Sequence, residues 1–127
     1  WLDTEDILGD LNLDVRLLTA VTGVPFTRED LDRAAERGTL LERILLARAG
    51  RHRGMEEAAL APHFQLPCRA DGTSIDLAGF SRLLDEFFAA RGYDQTLGWP
   101  QAERLRAVGL EALIPEVEAL RATLLAH

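Results

Sequence analysis

Apolar positions along this chain recur every three to four residues and almost nowhere every two, so the sequence reads as helices separated by glycine and proline stops. Leu13, Leu17, Leu18 and Val21 form one face of a short helix, and Gly23 stands where a left-handed C-cap belongs. Pro25 blocks continuation, and Thr27 with Asp30 three residues on resembles a capping box built with a shorter acid than Glu. The spacing then predicts a long helix from Arg28 whose apolar face is Leu31, Ala34, Ala35, Leu41, Ile44, Leu45 and Ala49. It ends at Gly50, after about 22 residues or roughly 33 Å. Gly38 interrupts this helix at a cost of about 1 kcal/mol relative to Ala, which suggests that its missing side chain admits a neighbouring backbone.

A segment of mixed character follows: Arg51 to Arg53, a helical turn from Met55 to Leu60, then a long loop carrying Pro62, Pro67 and Gly72. Asp76 is the predicted N-cap of a second strong helix, whose wide face of Leu77, Phe80, Leu83, Leu84, Phe87 and Phe88 runs to Gly92. Phe80, Phe87 and Phe88 are expected in the core. Pro100 is placed in the first turn of a third helix ending at Val108 with Gly109 as cap, and Pro115 opens a fourth from Glu116 to about Leu125. Trp99 is expected to pack as a hydrophobic staple or, if exposed, to mark a docking surface. The pattern adds up to a single all-α domain over residues 1–127, an irregular bundle of about five helices with a long connecting loop.

Composition narrows the partners. All fourteen basic residues are Arg, and the net charge is -7. Such a surface repels nucleic acid and anionic membranes. No apolar run approaches the ~20 residues of a transmembrane helix, and the acidic first ten residues lack the pattern of a signal peptide, so the expected location is the cytoplasm. A single cysteine, Cys68, excludes an intramolecular disulfide and suits a reducing compartment.

Several phrases stand in a telling order: Ala20-Val21-Thr22-Gly23, Pro25-Phe26-Thr27, Leu41-Glu42-Arg43, Arg48-x-Gly50, Leu84-Asp85-Glu86, Arg91-Gly92-Tyr93-Asp94 and Val108-Gly109-Leu110. This series resembles the C-terminal segment of the tungsten-dependent aldehyde ferredoxin oxidoreductases, in order and in spacing, most strongly over residues 16–110. The resemblance implies a parent enzyme that oxidises an aldehyde to a carboxylic acid and passes two electrons through a four-iron cluster to ferredoxin. It also implies a tungsten bis-pterin cofactor in that parent.

The departures are informative. Where the family has a segment rich in Arg and paired Asp ending in Pro-x-Arg-Phe, this chain has Arg51-His52-Arg53-Gly54-Met55-Glu56-Glu57 and ends Pro62-His63-Phe64. The family's fourth cluster cysteine precedes the helix ending in Ala-Val-Thr-Gly, but here no cysteine lies upstream of Ala20, and Cys68 falls far downstream. The expectation is that the chain starts just after that cysteine. Asp6-Ile7-Leu8-Gly9-Asp10 is similar to the family's pterin-contacting pattern but one residue out of step, so Asp6 and Gly9 are candidate cofactor contacts against the plainer reading of an entry turn.

Candidate chemistry is otherwise sparse. His52 and His63 are eleven residues apart with no second ligand pair at metal spacing, so they read as surface histidines, and His127 is terminal. Adjacent Glu56 and Glu57 point in different directions on a helix, which argues for a solvated acidic turn rather than an acid and base pair. Cys68 beside Arg69 is a candidate reactive thiol without a partnered histidine nearby in sequence. Arg48, Arg51 and Arg53 are a candidate contact for an anion such as a cofactor phosphate, or else simply offset the negative end of a helix dipole.

The expected role is thus a C-terminal domain or fragment of an aldehyde ferredoxin oxidoreductase-like enzyme. It has no catalytic residue, metal site or cofactor of its own and is inactive alone. Its expected partners are the parent's remaining domains, ferredoxin through that parent, and a second copy through exposed apolar faces. The alternative is a free-standing helical protein-interaction module, since a fold does not fix a function. A cysteine-dependent or metal-dependent enzyme is the third reading.

Overall fold

The structure, a computed structural model, describes residues 10, 12–64, 66, 67, 72–74 and 76–126. Six α-helices stand among the described residues: α1 (Leu13–Thr22), α2 (Arg28–Arg48), α3 (Arg53–Phe64), α4 (Leu77–Arg91), α5 (Ala102–Ala107) and α6 (Ile114–Leu125), with a 3-10 turn at Glu111–Leu113. The only β-type pairing among the described residues is the isolated bridge between Tyr93 and Pro100. The all-α class predicted from the periodicity is what the chain adopts.

The chain forms two compact units, Trp1–Gly38 and Thr39–His127. In the first, Gly23 caps α1 in the left-handed region at φ 71°, with its N–H bonded to the Thr19 carbonyl. The Thr27 and Asp30 capping box forms in both directions: Asp30 N–H donates to Thr27 Oγ1 at 3.1 Å, and Thr27 N–H donates to Asp30 Oδ2 at 2.9 Å. Arg28 holds Asp14 through both guanidinium nitrogens, at 2.9 and 2.5 Å. α1 nevertheless buries no residue, and Leu13, Leu17 and Val21 stay half or more exposed.

The second unit carries the core. Leu40 and Ile44 from α2 meet Phe88, Tyr93, Leu105, Val108, Leu110 and Val117, while Ala47, Leu97 and Trp99 form an adjoining cluster backed by Leu120 and Leu124. α4 begins at Asp76, whose carboxylate accepts from Ala78 N–H at 3.1 Å, and ends at Gly92 with φ 67°.

Several expectations change. The turn at Met55–Leu60 is part of a twelve-residue helix that begins at Arg53 and contains Pro62. Pro62 lies two residues from its C-terminus, where losing one backbone donor breaks little of the ladder. Pro100 lies outside α5, which starts at Ala102, because Pro100 bridges Tyr93 and Gln101 N–H turns back to the Gly92 carbonyl. The buried stripe of α2 is Leu40, Ile44 and Ala47, so of the predicted face Ile44 is covered while Leu41 and Leu45 are exposed. Of the three phenylalanines only Phe88 is buried, and Phe87 remains 48% exposed. A side chain at Gly38 would meet nothing within 4 Å, so no backbone among the described residues crosses there.

Candidate functional site

The densest arrangement of charged side chains is built around α3. Arg43, projecting from α2, donates from Nη1 and Nη2 to the two oxygens of Glu56 at 2.6 and 3.2 Å, and from Nε to the Gly98 carbonyl at 2.8 Å. Arg51 adds a third contact to Glu56 at 3.1 Å. One residue on, Glu57 faces the other way and accepts from Arg53 Nε at 2.8 Å. Arg53 also reaches Asp85, the Gln95 carbonyl at 2.7 Å and the Ser81 carbonyl and hydroxyl at 3.1 and 3.0 Å. The guanidiniums of Arg43 and Arg53 lie over the Phe88 ring at 5.7 and 5.6 Å from its centroid, so one buried aromatic attracts both cations.

Burial would push the Glu56 carboxyl up, but the hydrogen bonds and charge of Arg43, with the charge of Arg51, outweigh it and hold the carboxyl below its ordinary range. Arg53 is likewise partly desolvated, yet Asp85 and Glu57 hold its cation above the ordinary value. Glu56 and Arg53 are thereby both held in their charged forms. A general acid or base needs a proton to exchange near working pH, and these groups are driven away from that condition.

A second knot fixes the segment 93–100. Asp94 accepts from Leu97 N–H at 2.6 Å and from Trp99 N–H at 3.2 Å, and pairs with Arg121 at 3.3 Å. Trp99 is 1% exposed and its indole N–H donates to the Arg51 carbonyl at 2.8 Å, so it is a core residue and not a docking surface. Tyr93, Asp94, Gly98 and Trp99 serve to tie α4 to α5.

Other predicted site residues take the following places. Arg48 pairs with Glu116 of α6, which holds the Glu116 carboxyl below its ordinary value, while Arg51 and Arg53 face Glu56 and Glu57. The three arginines thus point at three different carboxylates rather than converging on one anion. Glu56 and Glu57 point apart as expected, but both sit on a helix and are paired, in place of the expected solvated turn. His52 packs its ring beside Gly54. Asp6, Gly9, Cys68 and His127 lie outside the described residues. Among the described residues, no group of three or more His, Cys, Asp or Glu side chains converges as a metal site would. No helix among them is long and apolar enough to cross a membrane.

The sequence reading missed the cluster's tie to residues 81, 85 and 95, because those contacts join positions up to 42 residues apart. The run of three arginines against two glutamates was its only local signal.

The family described as "Aldehyde ferredoxin oxidoreductase, domains 2 & 3" matches residues 4–110. No solved structure matches the chain.

Proposed function

The chain belongs to the aldehyde ferredoxin oxidoreductase family, and from that premise we propose that it serves as the helical C-terminal domain of an aldehyde-oxidising enzyme, contributing packing and no reacting group. The observation that carries this reading is where the matched stretch places its polar residues. Arg43, Glu56, Arg53, Asp85 and Asp94 are all consumed in mutual ion pairs and backbone contacts that hold helices together.

The donor set points the same way. A four-iron cluster takes thiolate ligands, and one cysteine in the whole chain does not supply four. The residues present therefore do not fit that cluster, and no electron-transfer step is assigned to them. The cofactor-bearing portion of the enzyme has to bring its own ligands, with this chain as a wall against which it packs. The apolar stripe of α1 suits that contact: a ten-residue helix that buries nothing is marginal in water and gains its stability from a partner surface.

Co-expression with the cysteine-bearing, pterin-binding portion of such an enzyme tests the proposal. The two polypeptides should co-purify, and aldehyde-dependent reduction of a redox dye should require both. Leu17→Asp should weaken co-purification while leaving the helical circular dichroism of this chain intact. Iron, tungsten and aldehyde oxidation found in this chain purified alone would overturn the reading.

A further inference from the structure

Between α3 and α4 lies an open hollow of about 620 Å³ that the ion-pair cluster borders but does not fill. Its walls are small and apolar. Gly54, Ala58 and Ala61 recur at steps of four and three on α3, so they share one face, and Leu77 and Phe80 line the hollow from α4. Phe64 packs in a T-shaped contact against Phe80, with ring centroids 4.6 Å apart, which fixes that wall in place. A volume of this size falls in the range of small-molecule sites, about 300–1,000 Å³, and such sites combine apolar walls with a few polar groups. Here the polar groups are Glu57 and Ser81.

We propose that this hollow binds a small lipophilic cation, a primary ammonium carried on an apolar body. Charge selects that class. Glu57 is the only charged side chain among the described residues that line the hollow, and its hydrogen bonds from Arg53 Nε and Ser81 Oγ both fall on Oε1. Oε2 is left to accept from a ligand. Arg53 is not itself a wall: its side chain is 12% exposed, and its one positive charge is divided between Glu57 and Asp85, so the three groups together are net negative. An anion meets repulsion there. A neutral apolar molecule strips water from the carboxylate and returns no hydrogen bond. An ammonium returns a charge-assisted bond to Oε2, with Ser81 Oγ beside it as a second acceptor, and the Phe80 ring adds an aromatic surface that attracts a cation. The apolar body then covers Ala58, Ala61 and Leu77, the last of which is 46% exposed. The chain's net charge of -7 draws cations rather than anions to its surface. The inference is independent of the enzyme reading, since it uses neither the stripe of α1 nor any cofactor.

Titration of the isotope-labelled chain with phenethylammonium chloride, followed by NMR, tests it. The amides of Gly54, Ala58, Ala78 and Ser81 should shift together and saturate. Phenethyl alcohol, with the same body and no charge, should bind about tenfold more weakly, and hydrocinnamate, the anionic counterpart, should not bind. Glu57→Gln should lose about tenfold in affinity for the ammonium and nothing for the alcohol, with unchanged helical circular dichroism. Because Glu57 also pairs with Arg53, a second variant tests the hollow without touching that bond: Ala58→Leu, at an exposed position, should fill it and abolish binding of both compounds. No saturable shift, shifts that fall elsewhere on the chain, equal affinity for ammonium and alcohol, or binding that survives Ala58→Leu would each overturn the proposal.

Discussion

Two glycines show how differently the same residue type is used. Gly98 has φ 70°, its carbonyl accepts from Arg43 Nε, and a Cβ there would lie 2.7 Å from Arg43 Nη2 and 2.8 Å from the Phe88 ring. Only glycine fits, because a side chain would both strain the backbone and displace the guanidinium from Glu56. Gly98→Ala should therefore lose about 3 kcal/mol, read as a lower urea midpoint at unchanged slope. Gly38 is the opposite case: it sits in the interior of α2 with nothing within 4 Å of a built Cβ. There Gly38→Ala should gain about 0.5–1 kcal/mol of stability by helix propensity alone. A loss at Gly38 in the isolated chain would mean that a contact absent from the described packing already depends on the missing side chain.

α3 is the element held most by charge, and its stability should follow pH accordingly. The Glu56 carboxyl lies below its ordinary value of 4.5 in the folded chain. Its contribution is thus fully present above that pH and is lost as pH falls through the depressed folded value. Glu56→Gln should cost about 2 kcal/mol near neutral pH, since Arg43 would keep its partly buried charge with a weaker partner. The gap between wild type and variant should close in acid, and urea midpoints measured from neutral pH down to below 4.5 would show whether it does. This dependence on distant partners is also why α3 was the helix least legible in the sequence. α1, α2 and α4 announce themselves through local signals: Gly23 and Gly92 as left-handed caps, the Thr27 and Asp30 box, Asp76 as N-cap. Pro62 and a weak apolar stripe hid α3, whose anchors, Asp85 and the Gln95 carbonyl, lie 32 and 42 residues from Arg53. Periodicity also located the apolar faces of α2 and α4 without fixing which half of each is covered. That depends on what packs opposite, so Leu40 is buried while Leu41 is exposed.

The two units differ in how much of their own surface they bury, and that difference sets the dynamics of the whole chain. Among the described residues, all eleven buried apolar side chains fall within Thr39–His127, Leu40 nearest its start and Val117 nearest its end. The unit Trp1–Gly38 relies instead on caps and on exposed pairs such as Arg28 with Asp14, contacts worth only a fraction of a kcal/mol each in water. Local opening free energies follow buried apolar contact, so amides of α1 should exchange with solvent far faster than those of α4 around Phe88 or of α5 around Leu105. Hydrogen exchange read by mass spectrometry should therefore show α1 losing protection first in the chain alone. Complex formation with the cofactor-bearing portion should slow exchange at α1, because covering Leu13, Leu17 and Val21 removes the apolar surface that makes the open state accessible. Protection that instead rises at α4 alone would assign the partner to the outer face of that helix, where Leu83 and Phe87 are exposed. Equal, high protection of α1 and α4 in the isolated chain would mean that α1 is already covered, and the case for a partner at its stripe would fall.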